Sequence, residues 1–202
     1  MTYSARQAGV YLIALVSIYG LIMGCGSKKD EKPAELQFKV NPSLLSEKVT
    51  YNEFGFSFSP PKQCLPLSKE LTENVLKIIG RELAMSDTSF VKPIQFFVDA
   101  EQRIICVVSS LPKLEDRKDQ IAGYELAIMK KMGNDKTMQG IFSHGGFVIN
   151  QMRVITKEMV IFKLFVAQNS HTSFQIDYII TLKFYEKNGE AIESSIGSLT
   201  KK

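Results

Sequence analysis

Few side chains in this 202-residue chain are suited to chemistry: three cysteines, Cys25, Cys64 and Cys106, and two histidines, His144 and His171. A thiolate is a nucleophile that can be alkylated or oxidised to a disulfide, and an imidazole can move protons or hold a metal. Cys25 stands directly behind Gly24, after the apolar run Val10 to Met23, with Arg6 ahead of that run and no acidic residue before it. At 1.5 Å per residue the run spans about 21 Å as a helix, short of the roughly 30 Å core of a bilayer. The length suits the apolar region of a secretory signal, and Gly24 is the small residue that a peptidase needs at its cut. His144 lies in Ser143-His144-Gly145-Gly146, where an imidazole beside two glycines could serve a nucleophile. The same four residues read more simply as a turn entering a strand. His171, in Asn169-Ser170-His171-Thr172-Ser173, reads as a loop residue. Two isolated histidines with no carboxylate at fixed spacing make a poor zinc site, so no metal is expected.

The constellations that define common enzymes are missing. There is no Gly-rich phosphate loop, no Gly-x-Ser-x-Gly elbow, no His-Glu-x-x-His and no Cys-x-x-Cys. The expectation is a protein that is not an enzyme and carries no cofactor; a hydrolase built around His144 is the weakest reading. Apolar residues make up 45% of the chain and charged residues 23%, the balance of a folded protein rather than a disordered one. The 25 basic and 21 acidic side chains give a net charge of +4, too small and too mixed to draw nucleic acid by electrostatics. Cys106 falls inside Ile104-Ile105-Cys106-Val107-Val108 and reads as a core residue, so Cys64 and Cys106 are expected unpaired, although an oxidising compartment would permit a disulfide.

The elements that position these residues follow from periodicity. Phe54, Phe56 and Phe58 alternate with Gly55, Ser57 and Ser59 up to Pro60-Pro61, the pattern of a strand. Ser68 caps an expected helix over Lys69 to Leu83, with Leu71, Val75 and Ile78 on its apolar stripe. Ile94 to Val98 and Ile104 to Val108 read as a hairpin, and Leu114 to Met132 as a helix with acids at its start and Lys130-Lys131 at its end. Three strands are expected at Gly146 to Thr156, Met159 to Gln168 and Phe174 to Tyr185, then a helix at about Glu190 to Leu199. Both faces of Met159 to Val166 are apolar, which marks a central strand. The fold class expected is α+β, an antiparallel sheet of about six strands with helices packed on both faces.

Leu21-Ile22-Met23-Gly24-Cys25 resembles the lipobox of bacterial lipoproteins. That resemblance implies a diacylglyceryl group on the Cys25 thiol, cleavage between Gly24 and Cys25, and acylation of the new amino group. Two or more acyl chains anchor a protein firmly, at about 0.8 kcal/mol per buried CH₂. Position 26 is Gly, not the Asp that retains such proteins in the inner membrane of enteric bacteria, so the resemblance implies the outer membrane as the expected location. Lys28-Lys29-Asp30-Glu31 is similar to the export tag of surface lipoproteins of the Bacteroidetes; facing the cell surface and facing the periplasm both stay open. The organisation read from sequence is therefore a signal peptide at 1–24, a lipidated Cys25 with a flexible charged tether to 48, and one α+β domain over 49–202.

The opening Tyr51-Asn52-Glu53-Phe54-Gly55-Phe56-Ser57-Phe58-Ser59-Pro60-Pro61, the late run Phe174 to Phe184 and the closing Ile192-Glu193-Ser194-Ser195-Ile196-Gly197-Ser198 resemble the PsbP/Mog-type fold. This implies an α/β/α sandwich and relatives that are mostly binding or assembly modules. The function expected is a non-catalytic, membrane-anchored module for an envelope protein partner, of unknown identity; the alternative is a carrier of a small apolar or amphipathic ligand.

Overall fold

The computed structural model describes residues 33–74, 91–101, 103–111, 123–127, 129–130, 137–168 and 172–202. Among the described residues ten strands run in chain order: β1 (Val49–Tyr51), β2 (Phe56–Phe58), β3 (Cys64–Pro66), β4 (Lys92–Asp99), β5 (Ile104–Ser110), β6 (Thr137–His144), β7 (Phe147–Ile155), β8 (Met159–Val166), β9 (Phe174–Thr181) and β10 (Thr200–Lys201). Seven form one antiparallel sheet in the order β3-β4-β5-β9-β8-β7-β6, and β1-β2-β10 form a small second sheet. The architecture is mixed α+β with antiparallel pairing, and its main sheet is one strand wider than expected from sequence.

The alternating aromatic run is not one strand. β1 turns back through residues 52–55 into β2, with Tyr51 opposite Phe56. Gly55, at φ +62°, supplies the left-handed residue that the turn requires. The hairpin of β4 and β5 and the strands β7, β8 and β9 lie where alternation puts them, and β8 is central, between β7 and β9.

β6 is a strand that sequence reading missed, and β9 is four residues shorter than expected. Thr181 is extended, the Leu182 N–H donates to the Glu158 carbonyl (2.7 Å), and the chain enters a helix spanning Leu182–Gly197. Leu182 and Phe184 continue the period of two set by β9, while Leu182 and Tyr185 stand at the helical spacing of three, so alternation alone could not find the switch; all three pack against the core. Asn188-Gly189, which looks like a break, is a kink: Asn188 has φ −130° and ψ 18°, and its side-chain amide donates to the Phe184 carbonyl (3.1 Å).

One sheet face carries Cys106, Val108, Leu164, Ile176 and Tyr178, packed with Phe56 and Phe58 of the small sheet and with Ile192 and Ile196 of the C-terminal helix. On the opposite face Met152, Val154 and Phe165 pack against Tyr124 and Met129 of a second helical segment, described at 123–127 and 129–130. The expected cap at Ser68 is present, its Oγ accepting from the Leu71 N–H (3.3 Å), with helix described to residue 74. Leu71, assigned to the apolar stripe, is 54% exposed and Thr72 is buried in its place.

Residues 33–48 depart from the tether expectation, because they lie on the domain. The Asn41 N–H donates to Ser194 Oγ (3.1 Å), Phe38 meets the Phe142 ring at 5.9 Å, and a short 3₁₀ turn, Pro42–Leu44, follows. Gly197 lets this strap come close: a Cβ there would stand 2.5 Å from that of Phe38.

Candidate functional site

Gly145 and Gly146 join β6 to β7 in a two-residue hairpin, both with positive φ (+58° and +85°), as a primed turn requires. A Cβ on Gly145 would collide with the Leu199 carbonyl, and the Gly145 carbonyl accepts from the Lys201 N–H (2.9 Å). The hairpin tip is thus seated against β10, and the turn reading of these residues describes what they do.

His144, last residue of β6, sits between the strap and the C-terminal helix. Its Nδ1 is 3.0 Å from the Leu36 carbonyl and its Nε2 3.0 Å from the Gly197 carbonyl, and Phe38 meets the ring edge-on at 4.8 Å. Both partners are acceptors, so a neutral ring donates to one of them and a protonated ring to both. Neither nitrogen is left to activate a nucleophile, and neighbouring Ser143 Oγ donates to the Pro33 carbonyl (3.3 Å). The geometry is that of a latch. His144→Ala is expected to cost about 1–3 kcal/mol, from the lost hydrogen bonding to these carbonyls and a ring contact. It should raise amide exchange at Leu36 to Val40 while β7 and β8 stay protected, read by hydrogen exchange with mass spectrometry. His171, Gly24 and Cys25 lie outside the described residues.

Beside His144, the strap covers part of the β6 edge. The Ser143 N–H donates to the Ala34 carbonyl (2.9 Å) and the Leu36 N–H to the Ser143 carbonyl (2.9 Å), a single parallel bridge centred on Glu35 and Ser143. Residues 138–141 are exposed; Met138 retains 55% and Ile141 61% of its surface, and Val148 on β7 retains 49%. This edge is not legible in the sequence, because the exposed residues of β6 break the alternation that would mark a strand.

Cys64 and Cys106 are buried and unpaired. They sit on β3 and β5, with β4 between, so two strand spacings of about 4.8 Å separate them, beyond the reach of a disulfide. Burial, then the nearby Asp99 carboxylate, push the Cys64 thiol up to about 12, and burial holds Cys106 well above the usual thiol range. Neither thiol should react with iodoacetamide at pH 8 in the folded protein, and both should react in denaturant, as counted by intact mass.

A polar group that sequence reading did not single out crosses the second sheet face. Lys163 Nζ lies 3.3 Å from Asp177 Oδ1 and 3.4 Å from the Tyr124 hydroxyl, and Gln175 Nε2 donates to both Asp177 oxygens at 2.7 Å. The signal was a lone lysine inside the apolar run of β8.

At the far end of β9, Arg103, Thr181, Lys183, Phe184, Lys187 and Asn188 line an open cavity of about 360 Å³. Arg103 stacks on the Phe184 ring (4.4 Å) and pairs with Asp99 and Glu101 (each 3.0 Å). Such a lining suits an anionic group better than an apolar one. Among the described residues no cluster of His, Cys, Asp or Glu could hold a metal ion, and no helix is long and apolar enough to cross a membrane.

No family model and no curated protein matches this chain. Among solved structures, the chain is similar to cyanobacterial PsbP from Synechocystis, determined in solution, with 11% identity over 88% of this chain and 99% of that one and a TM-score of 0.47.

Proposed function

We propose that this chain is a lipoprotein of the outer membrane, anchored through lipid on Cys25, whose α+β domain is a non-catalytic binding or assembly module for an envelope protein. The observation that carries the binding reading is the stretch of the β6 edge at 138–141, which the strap does not reach among the described residues and where Met138 and Ile141 are exposed. Natural edge strands are commonly blunted by charge, proline or a covering loop, and an edge left bare is a site for a partner. Tyr124 and Met129 on the second face support the α/β/α layering of the PsbP/Mog-type fold as part of this proposal. Eight residue steps separate Cys25 from Pro33, at most about 28 Å of extended chain, so the domain works beside the membrane.

Cys25→Ala should move the protein from the membrane fraction to the soluble fraction without lowering its melting temperature; a mutant that stayed with the membrane would contradict the anchor. The module itself is tested by purifying the lipidated protein from native membranes after mild crosslinking. A reproducible protein partner supports the proposal. A bound small molecule with no protein would favour the carrier reading, whose one supporting observation is the cavity at Arg103, Lys183 and Lys187, suited to an amphipathic ligand with an anionic head.

A further inference from the structure

We propose that the β6 edge binds its partner by strand addition: an extended, uncharged segment of the partner protein pairs with the outward main-chain groups of Gln139 and Ile141. This deepens the binding-module reading and rests on it.

Backbone parity fixes which groups are free. Along an edge strand, alternate residues direct both main-chain polar groups away from the sheet. Ser143 bonds outward to Ala34 and Leu36, so Ile141 and Gln139, two and four residues earlier, point the same way. Among the described residues nothing is bonded to those outward groups. The chain's own strap begins such an addition and stops. Pairing at Ile141 would next require the Ala34 N–H to reach the Ile141 carbonyl, and that bond is absent; the residue before it, Pro33, has no N–H and a fixed φ. The edge therefore accepts a strand at one position and leaves the following ones to another chain.

The occupant follows from the surroundings. Thr137-Met138-Gln139-Gly140-Ile141-Phe142 carries no charge, with exposed Ile141 on one face and Met138 on the other; the charged groups that touch it, Glu125 accepting from Gln139 Nε2 (3.1 Å) and Arg153 donating to Met138 Sδ (2.7 Å), are one of each sign, so an added strand meets an apolar side chain on each side and no net charge. A second copy fits less well. With Ser143 occupied by the strap, a two-fold pairing is confined to the few residues around Gln139, far less contact than the roughly 800 Å² per partner of a stable interface. An extended segment, as in other strand-addition complexes, needs only main-chain bonds and alternate side-chain contacts.

The test uses the full chain and a displayed library of random linear decapeptides. Enriched peptides should alternate apolar residues, add exchange protection at the Gln139 and Ile141 amides, and lose about tenfold or more in affinity for Gln139→Pro. Proline at this outward position removes no bond within the sheet and only the exposed Gln139 Nε2 bond to Glu125 (3.1 Å), so the variant should keep the parent's melting temperature to within about 2–4 °C. Leu71→Ser, exposed on the helix that follows β3 at the opposite end of the strand order, should bind normally. Ile141→Lys provides a second edge variant if Gln139→Pro fails to fold. Peptides that bind both edge variants unchanged, or no enriched peptide at all, would overturn the proposal. Self-association abolished by Gln139→Pro would also overturn it, by putting a second copy on the edge. If envelope complexes depend on the domain yet survive Gln139→Pro, strand addition fails while the module reading stands. If peptides occupy the edge and those complexes ignore the domain, the module reading fails instead.

Discussion

Phe56→Ala is expected to lower the stability of the domain by about 3–5 kcal/mol, the cost of emptying a fully buried aromatic site. Phe56 has no exposed surface and stacks on Phe174 of β9 with ring centroids 3.9 Å apart, while Tyr51 stacks against it at 5.0 Å. It is therefore a main side chain through which the small sheet grips the large one, beside Phe58, which meets Phe97 of β4 at 5.9 Å. Its neighbours Tyr51 and Phe58 are strand residues whose backbones cannot close the gap, so a cavity should remain. In a chain of this size each kcal/mol moves the melting temperature by about 2–4 °C, which makes the expected fall roughly 6–20 °C. Phe56→Leu, which keeps most of the volume, should recover the greater part. A loss below about 1 kcal/mol for Phe56→Ala would mean that the two sheets are not joined through this residue.

The second large effect is at the buried ion pair. Lys163 and Asp177 face each other across β8 and β9, with side chains 16% and 12% exposed. Lys163→Met is expected to cost about 3–5 kcal/mol, because it leaves the Asp177 carboxylate buried without its cation. Lys163→Met with Asp177→Asn should be much less destabilised than Lys163→Met alone: the charge is gone, and the asparagine oxygen still accepts from Gln175 Nε2. Chemical denaturation of the three proteins measures the coupling. Burial works against the Lys163 charge, but Asp177 and the Tyr124 hydroxyl outweigh it and hold the ammonium above its ordinary value of 10.5. A group raised in the folded state contributes stability that is complete below its unfolded value and is lost as pH climbs through the folded one. The pair's contribution should hold through neutral pH and fade only in strong alkali. Loss of stability near pH 8 that disappears in the double variant would contradict this assignment.

Sequence periodicity reads what one element does on its own and is blind to what two distant elements do together. β8 was legible because apolar residues fill both of its faces, and the hairpin of β4 and β5 because two β-rich runs flank a short polar link. β6 was not: Thr137 to His144 is an edge strand, and its exposed residues interrupt any alternation. The start of the C-terminal helix was hidden by Leu182 and Phe184, which continue the alternation of β9 beyond its end. The strap lacks an amphipathic pattern altogether, since it is held by main-chain bonds to Ser143 and by the ring of Phe38. The site shows the same division. His144 stood out by residue type, but its partners Leu36 and Gly197 lie 108 and 53 residues away, so its role as a latch could not be read from its neighbours. Lys163 and Asp177 meet only through the register of two strands.

The central claim, that the domain is a binding module held at the membrane, is tested most directly by comparing native envelope complexes from cells carrying the full chain with those from cells carrying residues 1–32 alone. The cut falls after Lys32 because residues from Pro33 onward belong to the domain. On native gels resolved by mass spectrometry, at least one envelope complex should shrink or vanish when the domain is removed and return when the full chain is restored. An unchanged set of complexes would contradict the account.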